Sequence, residues 1–481
     1  MTSPVLPDFI GGEFRSGHLA DGIEDRNPSD REDLVGVVPE GSAEDVDRAV
    51  EAARDALPGW RRMTGPARAE HLYRWADAIA AGAEEMAREL AREVGKPIGE
   101  AKGEVARCSV ILRYYAGEAV RARGSVVPAQ VEGALQFTLQ EPLGVVGLIT
   151  PWNFPAAIPL WKAAPALAFG NTVVLKSAEQ SSHTAVLLAR SAEAAGIPPG
   201  VFNVVLGAGG TVGEALVRHP GVSGVSFTGS IPVGHGVRAI CADRNIACQT
   251  EMGGKNVVIV LPDADLDRAA KLTAAGAMKY AGQKCTATSR AVVAREVEAE
   301  FLERLEEEVS RLPVGSVLEA TTAVGPLISE GARERVRKAV AGSGARLVCG
   351  GRDPEGEAFA RGNFFEPTLA RDVDPESELA QEELFGPVLA TLTANDLDHA
   401  IELANGTKYG LSASLFTRDL TSALAYIAAI DVGLVRVNGD TTGVDPHAPF
   451  GGFKASSSGV REQGAAAREF YTETKTVQVN P

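Results

Sequence analysis

Apolar runs of strand length alternate along the chain with longer runs of helical period. Between residues 43 and 121, apolar side chains recur at helical spacing in three stretches: 45–56, 67–91 and 99–121. Ser42, followed by Glu44 and Asp45, is typical of a helix N-cap. The three stretches are rich in alanine and charged on one face, so we predict a packed helical layer whose charges mostly face solvent.

From Gly144 onward, short apolar strands alternate with helices. The predicted strands are 145–150, 172–175, 201–206 and 224–227, and the predicted helices are 159–167, 182–195 and 210–218. This order predicts an α/β fold with a parallel sheet and crossover helices. Ligands of such sheets bind beyond the carboxyl ends of the strands, so the residues directly after each strand are the candidate binding residues.

A second α/β region begins at Asn256. Its predicted strands are 256–260, 291–294, 345–349, 386–393 and 434–438, and its predicted helices are 263–280, 298–312, 331–341 and 396–404. Residues 125–139 alternate like a hairpin with Gly133 near the turn, and residues 470–479 alternate like a closing strand. The sequence leaves open whether the hairpin extends a sheet edge or contacts another copy of the chain.

Polar residues and glycines follow the strands of the first region. Glu179 comes after the second strand, where a carboxylate can accept hydrogen bonds from both hydroxyls of a ribose. Gly229 and Ser230 open a helix, which suits a pyrophosphate because unpaired N–H groups point outward there. The glycines near residues 207–213 miss the G-x-G-x-x-G spacing, so a plain tight turn explains them about as well.

Cys285 lies in a short polar run between a predicted helix and a predicted strand. The connection places its thiol where side chains can face a cleft, and a thiolate there would be a strong covalent nucleophile. Free cysteine usually only packs, and on this segment alone packing is the better interpretation. A thiol hydrolase lacks a convincing histidine partner, because His447 lies in a loop and the other histidines form no motif.

Length, composition and charge limit the classes of partner and the location that the sequence allows. The 481 residues predict more than one domain, and the net charge of −16 argues against nucleic acid or an anionic membrane surface as a partner. The N-terminal segment lacks the pattern of a signal peptide, and the best apolar run, 156–169, is interrupted by Lys162 and by prolines. The five cysteines are scattered without a CxxC pair, which predicts a reducing cytoplasm and neither disulfides nor a metal site.

Five motifs, in one consistent order over essentially the whole chain, resemble the aldehyde dehydrogenase superfamily. They are Pro151-Trp152-Asn153-Phe154-Pro155, Phe227-Thr228-Gly229-Ser230, Thr250-Glu251-Met252-Gly253-Gly254-Lys255-Asn256, Gly282-Gln283-Lys284-Cys285 and Glu382-Glu383-Leu384-Phe385-Gly386-Pro387. The resemblance implies NAD(P)-dependent oxidation of an aldehyde to a carboxylate. It also implies a Rossmann-like NAD(P)-binding domain (1–123 and 144–253), a catalytic domain (254–448) and a small oligomerisation element (124–143 and 449–481). The hairpin and the closing strand suggest a homodimer or homotetramer built by sheet extension.

The resemblance assigns roles to four catalytic candidates. Cys285 would attack the aldehyde carbon, giving a thiohemiacetal that loses hydride and becomes a thioester. The Asn153 amide and the Cys285 backbone N–H would hold the oxyanion, and Glu251 would be the general base for the hydrolytic water. Lys162 would lie near the proton path; the alternative is a lysine that covers a helix end.

The same resemblance, together with the strand ends, supplies the candidate cofactor contacts. Lys176 and Glu179 would contact the adenosine ribose, Ser230 the pyrophosphate, Glu383 the nicotinamide ribose, and Phe385 would pack by the nicotinamide. The remaining candidates are Thr150, Pro151, Trp152, Ser177, Gly209, Gly213, Phe227, Thr228 and Gly229. The alternative for Trp152 is a core aromatic residue beside Asn153. The Glu179 carboxylate would repel a 2′-phosphate, which predicts NAD, although Lys176 and Ser177 leave NADP open.

For the substrate, residues 282–290, 437–445, 449–452 and 461–464 look most like the α-ketoglutaric semialdehyde (2,5-dioxopentanoate) branch of the superfamily. Succinic semialdehyde enzymes usually carry an arginine before the lysine matched by Lys162, and Trp161 stands there instead. A carboxylated substrate needs a cation, for which Arg290 is a candidate, with a structural ion pair as the alternative. A CoA-acylating enzyme is disfavoured because Glu251 would hydrolyse its thioester, and a non-catalytic binding protein because Cys285 and Glu251 are both present.

Overall fold

The computed structural model describes residues 5–17, 22–121 and 123–481; the first four residues of the segment inspected for a signal peptide lie outside it. The strands are β1 (Pro7–Ile10), β2 (Glu13–Ser16), β3 (Ile23–Arg26), β4 (Leu34–Val38), β5 (Val126–Val127), β6 (Leu135–Pro142), β7 (Val145–Ile149), β8 (Thr172–Lys176), β9 (Phe202–Val204), β10 (Gly224–Thr228), β11 (Ala247–Glu251), β12 (Asn256–Val260), β13 (Thr288–Ala294), β14 (Arg346–Cys349), β15 (Thr368–Arg371), β16 (Val388–Ala394), β17 (Tyr409–Gly410), β18 (Ser412–Phe416), β19 (Leu434–Val437), β20 (Phe453–Lys454), β21 (Ser457–Ser458) and β22 (Thr472–Val479). The helices are α1 (Ala43–Arg62), α2 (Gly65–Ala81), α3 (Ala83–Val94), α4 (Ile98–Glu118), α5 (Ala157–Ala168), α6 (Ser182–Ala194), α7 (Glu214–Arg218), α8 (Ile231–Asp243), α9 (Leu266–Met278), α10 (Glu298–Ser310), α11 (Glu330–Gly342), α12 (Glu378–Gln381), α13 (Leu397–Asn405), α14 (Leu420–Ala429) and α15 (Ala467–Tyr471).

The first sheet has eight strands in the order β2-β1-β9-β8-β7-β10-β11-β21. Its five central strands, β9-β8-β7-β10-β11, are parallel, which confirms the predicted parallel sheet. The flanking strands β1 and β21 pair antiparallel to it. The sequence did not reveal these flanking strands, because they are short and pair with strands that are distant in the chain.

The predicted helical layer is divided between the two faces of this sheet: α1 packs on one face together with α7 and α8, whereas α2, α3 and α4 lie on the other side, against α5 and α6. The run 67–91 forms two helices separated by Gly82, where α2 ends and α3 begins. Ser42 caps α1 by accepting a hydrogen bond from the backbone N–H of Asp45, as the sequence predicted. Most charges of the layer face solvent, but Lys96 and Glu104 are buried, and both lie against the candidate site described below.

The second sheet has seven strands in the order β14-β15-β16-β13-β12-β18-β19 and is parallel except at β14. Two of its strands, β15 and β18, were not predicted. Strand β18 is fully buried although its sequence is Ser-Ala-Ser-Leu-Phe, so small polar residues concealed it from a search for β-branched runs.

The third sheet, in the order β22-β6-β5, contains the predicted hairpin. Strand β22 pairs antiparallel with β6 along eight residues. Phe470 and Tyr471, predicted to begin the closing strand, instead end α15, and their rings are buried. Among the described residues, no helix combines the length and the apolar content needed to cross a membrane.

Candidate active site

Cys285 lies in the connection between α9 and β13, after a turn of 3-10 helix at Lys279–Gly282. Tyr280, Ala281 and Gly282 all have left-handed backbones, with φ of 57°, 51° and 67°. Two consecutive non-glycine residues in this region cost about 1–2 kcal/mol each, so the surroundings must hold the loop in place. Gln283 does so: its side chain donates to the Pro326 carbonyl at 3.1 Å and accepts from the Ile328 N–H at 2.9 Å.

Asn153 meets this cysteine loop from the first sheet. It follows β7, is buried, and donates a side-chain N–H to the Gln283 carbonyl at 3.1 Å. Lys96 donates to the Asn153 carbonyl at 2.7 Å. The Asn153 amide therefore contacts the cysteine loop at Gln283, two residues before Cys285 in the sequence.

Cys285 is half-buried and lies on the wall of a cavity of about 580 Å³. Three aromatic residues, Phe154, Trp161 and Phe450, line the same cavity, and the rings of Trp161 and Phe450 lie 5.7 Å apart. Burial, together with the negative charges of Glu383, Glu251 and Glu462, raises the pKa of the Cys285 thiol to about 12. The thiol therefore holds its proton at neutral pH until a base or a nearby positive charge favours the thiolate.

Glu251 ends β11 and is buried. Burial raises the pKa of its carboxyl group well above the ordinary value, and the negative charge of Glu462 adds to the rise, while Ser457, Lys162 and Arg461 oppose it. Ser457, on the neighbouring strand β21, donates its hydroxyl to the Glu251 carboxylate. Glu251 is close enough to Cys285 to influence the thiol electrostatically, although Glu251 ends a strand of the first sheet and Cys285 lies in the connection that leads into the second sheet.

Lys162 lies inside α5, is buried, and forms an ion pair with the buried Glu462. Its ammonium also donates to the Ser226 hydroxyl at 2.8 Å. The alternative that Lys162 covers a helix end is wrong, because the side chain points into a buried polar cluster next to Glu251. One carboxylate oxygen of Glu462 is buried without a hydrogen-bond partner among the described residues.

The carboxyl ends of β8, β7 and β10 lie side by side at one edge of the first sheet. The hydroxyls of Thr150, Ser177 and Thr228 are buried at this edge, and in the described part of the chain none has a hydrogen-bond partner. Unsatisfied buried hydroxyls are costly and rare in folded proteins. Their grouping fits a ligand rich in hydroxyl and phosphate oxygens, such as a dinucleotide.

Glu179 is positioned at the same edge by two contacts. One of its carboxylate oxygens lies 3.2 Å from the Lys176 ammonium and accepts from the Gly209 N–H at 2.6 Å. Gly209 begins a turn of π-helix that runs to Gly213. The predicted helix 210–218 is therefore a turn of π-helix in its first half and an α-helix, α7, from Glu214 onward.

Ser230 precedes α8, and Gly229 turns the chain between β10 and that helix. A Cβ at Gly229 would lie 2.5 Å from the Phe227 ring, which is buried in the core beneath it. The Gly229 N–H donates to the Glu251 carbonyl at 3.1 Å. The expectation of an unpaired N–H at Gly229 is therefore wrong, and a phosphate would have to use the N–H groups that follow it.

Glu383 and Phe385 approach from the second region. Burial raises the pKa of Glu383 to about 7, and its carboxylate accepts from the Gly254 N–H at 3.0 Å. Phe385 contacts Trp152 edge to face, with ring centroids 5.5 Å apart. Trp152 is thus half-buried against Phe385 rather than a core residue, and Pro151 precedes it at the same sheet edge.

Arg290 does not reach the cavity. Its buried guanidinium donates to the carbonyls of Leu403 and Ala404, in the last turn of α13, at 2.9 and 2.8 Å. Arg290 is therefore structural, as the alternative held, but its partners are backbone carbonyls and not the acidic side chain of an ion pair. No cluster of side chains suited to a metal ion occurs in the described ranges.

Sequence reasoning gave no role to Ser457, Ser226 or Glu462. Glu462 lies in an irregular loop, 300 residues from its partner Lys162. No periodicity marks such a residue. The available signals were its place after a glycine- and serine-rich segment and within residues 461–464, which resemble the α-ketoglutaric semialdehyde branch.

Comparison with known proteins gives a consistent result. The model of the aldehyde dehydrogenase family matches residues 14–477. A Bacillus subtilis (strain 168) protein named alpha-ketoglutaric semialdehyde dehydrogenase is 45% identical over 477 residues, 98% of each chain. A Haloferax volcanii protein named alpha-ketoglutarate semialdehyde dehydrogenase is 41% identical over 481 residues, 99% of each chain. The crystal structure of an NAD-dependent aldehyde dehydrogenase from Sinorhizobium meliloti is 39% identical and matches with a TM-score of 0.95, covering 99% of this chain and 95% of that one.

Two largely parallel sheets meet at a cleft lined by a thiol, with a hydroxyl-rich sheet edge beside it, and this arrangement suits an enzyme that binds a dinucleotide. The match over nearly the whole chain makes the assignment specific. The chain belongs to the aldehyde dehydrogenase family, which confirms the resemblance drawn from the motifs.

Proposed function

We propose that the enzyme oxidises an aldehyde that carries a carboxylate, α-ketoglutaric semialdehyde first, to the corresponding acid with NAD. The supporting observation is the position of the Cys285 thiol on the wall of an aromatic-lined cavity. Asn153 contacts the cysteine loop there, and the charge of Glu251 acts on the thiol. The names of the two relatives described above support the substrate. A succinic-type or broad-specificity semialdehyde dehydrogenase is the alternative.

In the first half-reaction the Cys285 thiolate adds to the aldehyde carbon. The carbonyl oxygen becomes an oxyanion, which the second N–H of the Asn153 amide and the Cys285 backbone N–H stabilise by donating to it. Bound NAD would supply the acceptor for the hydride that leaves this adduct, so that a thioester remains on Cys285.

In the second half-reaction water attacks the thioester carbon and the Cys285 thiolate leaves. Glu251 takes the proton of the attacking water, which requires its ionised form. Lys162 and Glu462 continue the buried polar cluster away from Glu251. We assign them the positioning of that carboxylate and the passage of its proton.

The cofactor would lie along the carboxyl edge of the first sheet. Thr150, Ser177 and Thr228 would supply hydroxyls, Lys176 and Glu179 would bind the adenosine ribose, and Ser230 would contact the pyrophosphate. Pro151, Gly209, Gly213, Phe227 and Gly229 shape this edge through their backbones. Glu383 would bind the nicotinamide ribose, with Phe385 and Trp152 packing beside the ring.

The Glu179 carboxylate should favour NAD over NADP, because a 2′-phosphate would face a negative charge. Replacing Glu179 by glutamine is expected to lower the ratio of kcat/KM for NAD over NADP by about tenfold, since the repulsion is lost and Lys176 is released from its pair. Glu214→Gln, which removes an exposed carboxylate paired with Arg218, is the matched control. A parent enzyme that clearly prefers NADP would contradict the assignment.

We also propose that the chain forms a homodimer or homotetramer by sheet extension. Strand β19 is an edge of the second sheet, and beside it α14 exposes Leu420 (71%), Leu424 (58%) and Ile427 (49%). Strand β22 is an edge of the third sheet. An uncovered strand edge with apolar neighbours is typical of a surface that pairs with another copy.

Sedimentation velocity tests the assembly. The parent is expected to sediment as a dimer or tetramer, and Leu424→Lys to shift toward monomer, because a charge would enter the apolar face. Leu318→Lys, at an exposed leucine outside that face, should leave the distribution unchanged. A parent enzyme that sediments only as a monomer at micromolar concentration would contradict the proposed assembly.

The predicted division into a cofactor domain (1–123 and 144–253), a catalytic domain (254–448) and an oligomerisation element (124–143 and 449–481) is retained as part of this proposal. The first sheet lies mainly within the first set of residues, the second sheet within the second, and strands β6 and β22 within the third. We place the enzyme in the cytoplasm, because five scattered cysteines that are free in the structure suit a reducing compartment; cell fractionation tests this location.

The experiment that decides the activity measures NADH formation from a panel of aldehydes: α-ketoglutaric semialdehyde, succinic semialdehyde, and uncharged aliphatic and aromatic aldehydes. The highest kcat/KM is expected for α-ketoglutaric semialdehyde, with the free acid as product. An equal or higher value for succinic semialdehyde would favour the alternative. Formation of an acyl-CoA only when CoA is present would overturn the hydrolytic mechanism.

A further inference from the structure

Helix α4 presents one polar face to the cavity that contains Cys285. Glu100, Glu104 and Arg107 recur along it at helical spacing, and all three line the cavity together with Gly103. The aromatic residues and Cys285 form other parts of the same wall. The face therefore places three charged groups next to whatever the cavity binds.

The two carboxylates of this face are already neutralised by protein groups. Glu104 forms a buried ion pair with Lys96 and accepts the backbone N–H groups of Ala156 and Ala157, at 2.9 and 3.0 Å, at the start of α5. Glu100 pairs with Lys284 at 2.7 Å. Although burial opposes it, the positive charge of Lys284 lowers the pKa of Glu100, so this carboxyl stays ionised and paired at neutral pH.

Arg107 differs from both. It is half-buried, and no ion pair or hydrogen bond joins its guanidinium to any residue that the structure describes. With Glu100 and Glu104 matched by Lys284 and Lys96, Arg107 leaves unbalanced positive charge on the cavity wall, to which the exposed Lys279 adds. A guanidinium in a partly desolvated site is a strong, bidentate receptor for a carboxylate.

The position of Arg107 suits a short substrate. It lies about one helical turn, about 5 Å, from Glu104, which in turn anchors the start of α5 just after Asn153. The Trp161 indole N–H, on the same cavity, is buried without a partner among the described residues. A small ligand with polar groups at both ends would use the guanidinium and leave the aldehyde for Cys285.

We propose that Arg107 is the specificity-determining residue that binds the carboxylate at the far end of the aldehyde substrate. The inference rests on the proposed oxidation of a carboxylated aldehyde and names the group that selects it. Arg107 thereby takes the place of Arg290 as the candidate cation for the substrate carboxylate, because Arg290 binds the last carbonyls of α13.

The test compares kcat/KM for succinic and α-ketoglutaric semialdehydes with that for the uncharged aldehydes butanal and pentanal. In Arg107→Met, the ratio of carboxylated over uncharged substrate is expected to fall about 10- to 100-fold, because a charge-assisted hydrogen-bond pair is lost. The change should lie mainly in KM, since the carboxylate contact is the same in the ground and transition states. Arg107→Lys should give an intermediate ratio, because it keeps the charge and loses the planar fork.

Two matched variants separate the explanations. Arg113→Met removes an exposed arginine of the same helix, paired with Asp77 outside the cavity. Lys279→Met removes a second cation of the cavity wall that forms no ion pair with the described residues. Arg113→Met should keep the parent ratio, and Lys279→Met should lower it far less than Arg107→Met does. A fall in Lys279→Met with an unchanged ratio in Arg107→Met would assign the role to Lys279 and overturn the inference. A parent ratio near one would refute the proposed substrate class itself, whereas a high parent ratio that Arg107→Met and Arg107→Lys both retain would refute only the role of Arg107.

Discussion

Replacing Cys285 by alanine is expected to abolish NADH formation, with a loss of about 10⁴-fold or more in kcat. The cavity holds the thiol beside the Asn153 loop contact. An alanine there leaves no group that can form a bond to the aldehyde carbon. The measurement is steady-state NADH production with the best aldehyde of the panel, compared between the parent and the variant.

The matched control for this variant is Cys349→Ala. Cys349 is a partly buried free thiol on β14, at the far edge of the second sheet, and its removal should leave turnover within about twofold of the parent. Thermal denaturation with and without NAD shows whether the Cys285 variant stays folded and keeps its cofactor site. Turnover that survives in a folded Cys285→Ala enzyme would contradict the covalent mechanism.

The parts of the fold that the sequence predicts are those governed by local pattern. Strands such as β7 and β12 are nearly uniform apolar runs, and a buried parallel strand requires that composition. The cysteine loop was predictable because a helical run and an apolar strand flank it within a few residues.

The parts that the sequence does not predict depend on distant contacts. Strand β18 is recognisable only from its place between β12 and β19, because Ser412 and Ser414 carry no strand preference of their own. Phe470 and Tyr471 alternate like strand residues, but α15 buries both rings in the hydrophobic core that also contains α4 and α5. Tertiary packing overrides local preference at both places.

The same limit applies to the site. Motifs located Cys285, Glu251 and Asn153, because their neighbours in sequence are distinctive. Charges that act through partners stayed hidden: Glu462 matters through Lys162, and Arg107 stands out only once Glu100 and Glu104 are seen to be paired. The absence of a partner is a property of the folded structure and has no counterpart in a linear pattern.

Replacing Glu251 by glutamine is expected to separate the two half-reactions. Addition of Cys285 to the aldehyde and loss of hydride can still occur, but glutamine cannot take the proton of the attacking water, so kcat should fall about 10²- to 10⁴-fold. Because the thioester then accumulates, rapid mixing should show a burst of about one NADH per active site before the slow steady rate. Glu214→Gln, at an exposed glutamate of α7, is the control for loss of a carboxylate as such.

The pH dependence tests the same assignment through the sign of the shift. Burial and the charge of Glu462 raise the pKa of Glu251, and the base is active only when ionised. Hydrolysis in the parent should therefore rise as the pH rises through that pKa and fail below it, whereas Glu251→Gln should lose this dependence. Glu462→Gln removes a negative charge beside Glu251, so the acid limb of the profile should move to lower pH. Two results would show that another group activates the water. One is a Glu251→Gln enzyme with parental turnover and no burst; the other is a Glu251→Gln enzyme that keeps the acid limb of the parent.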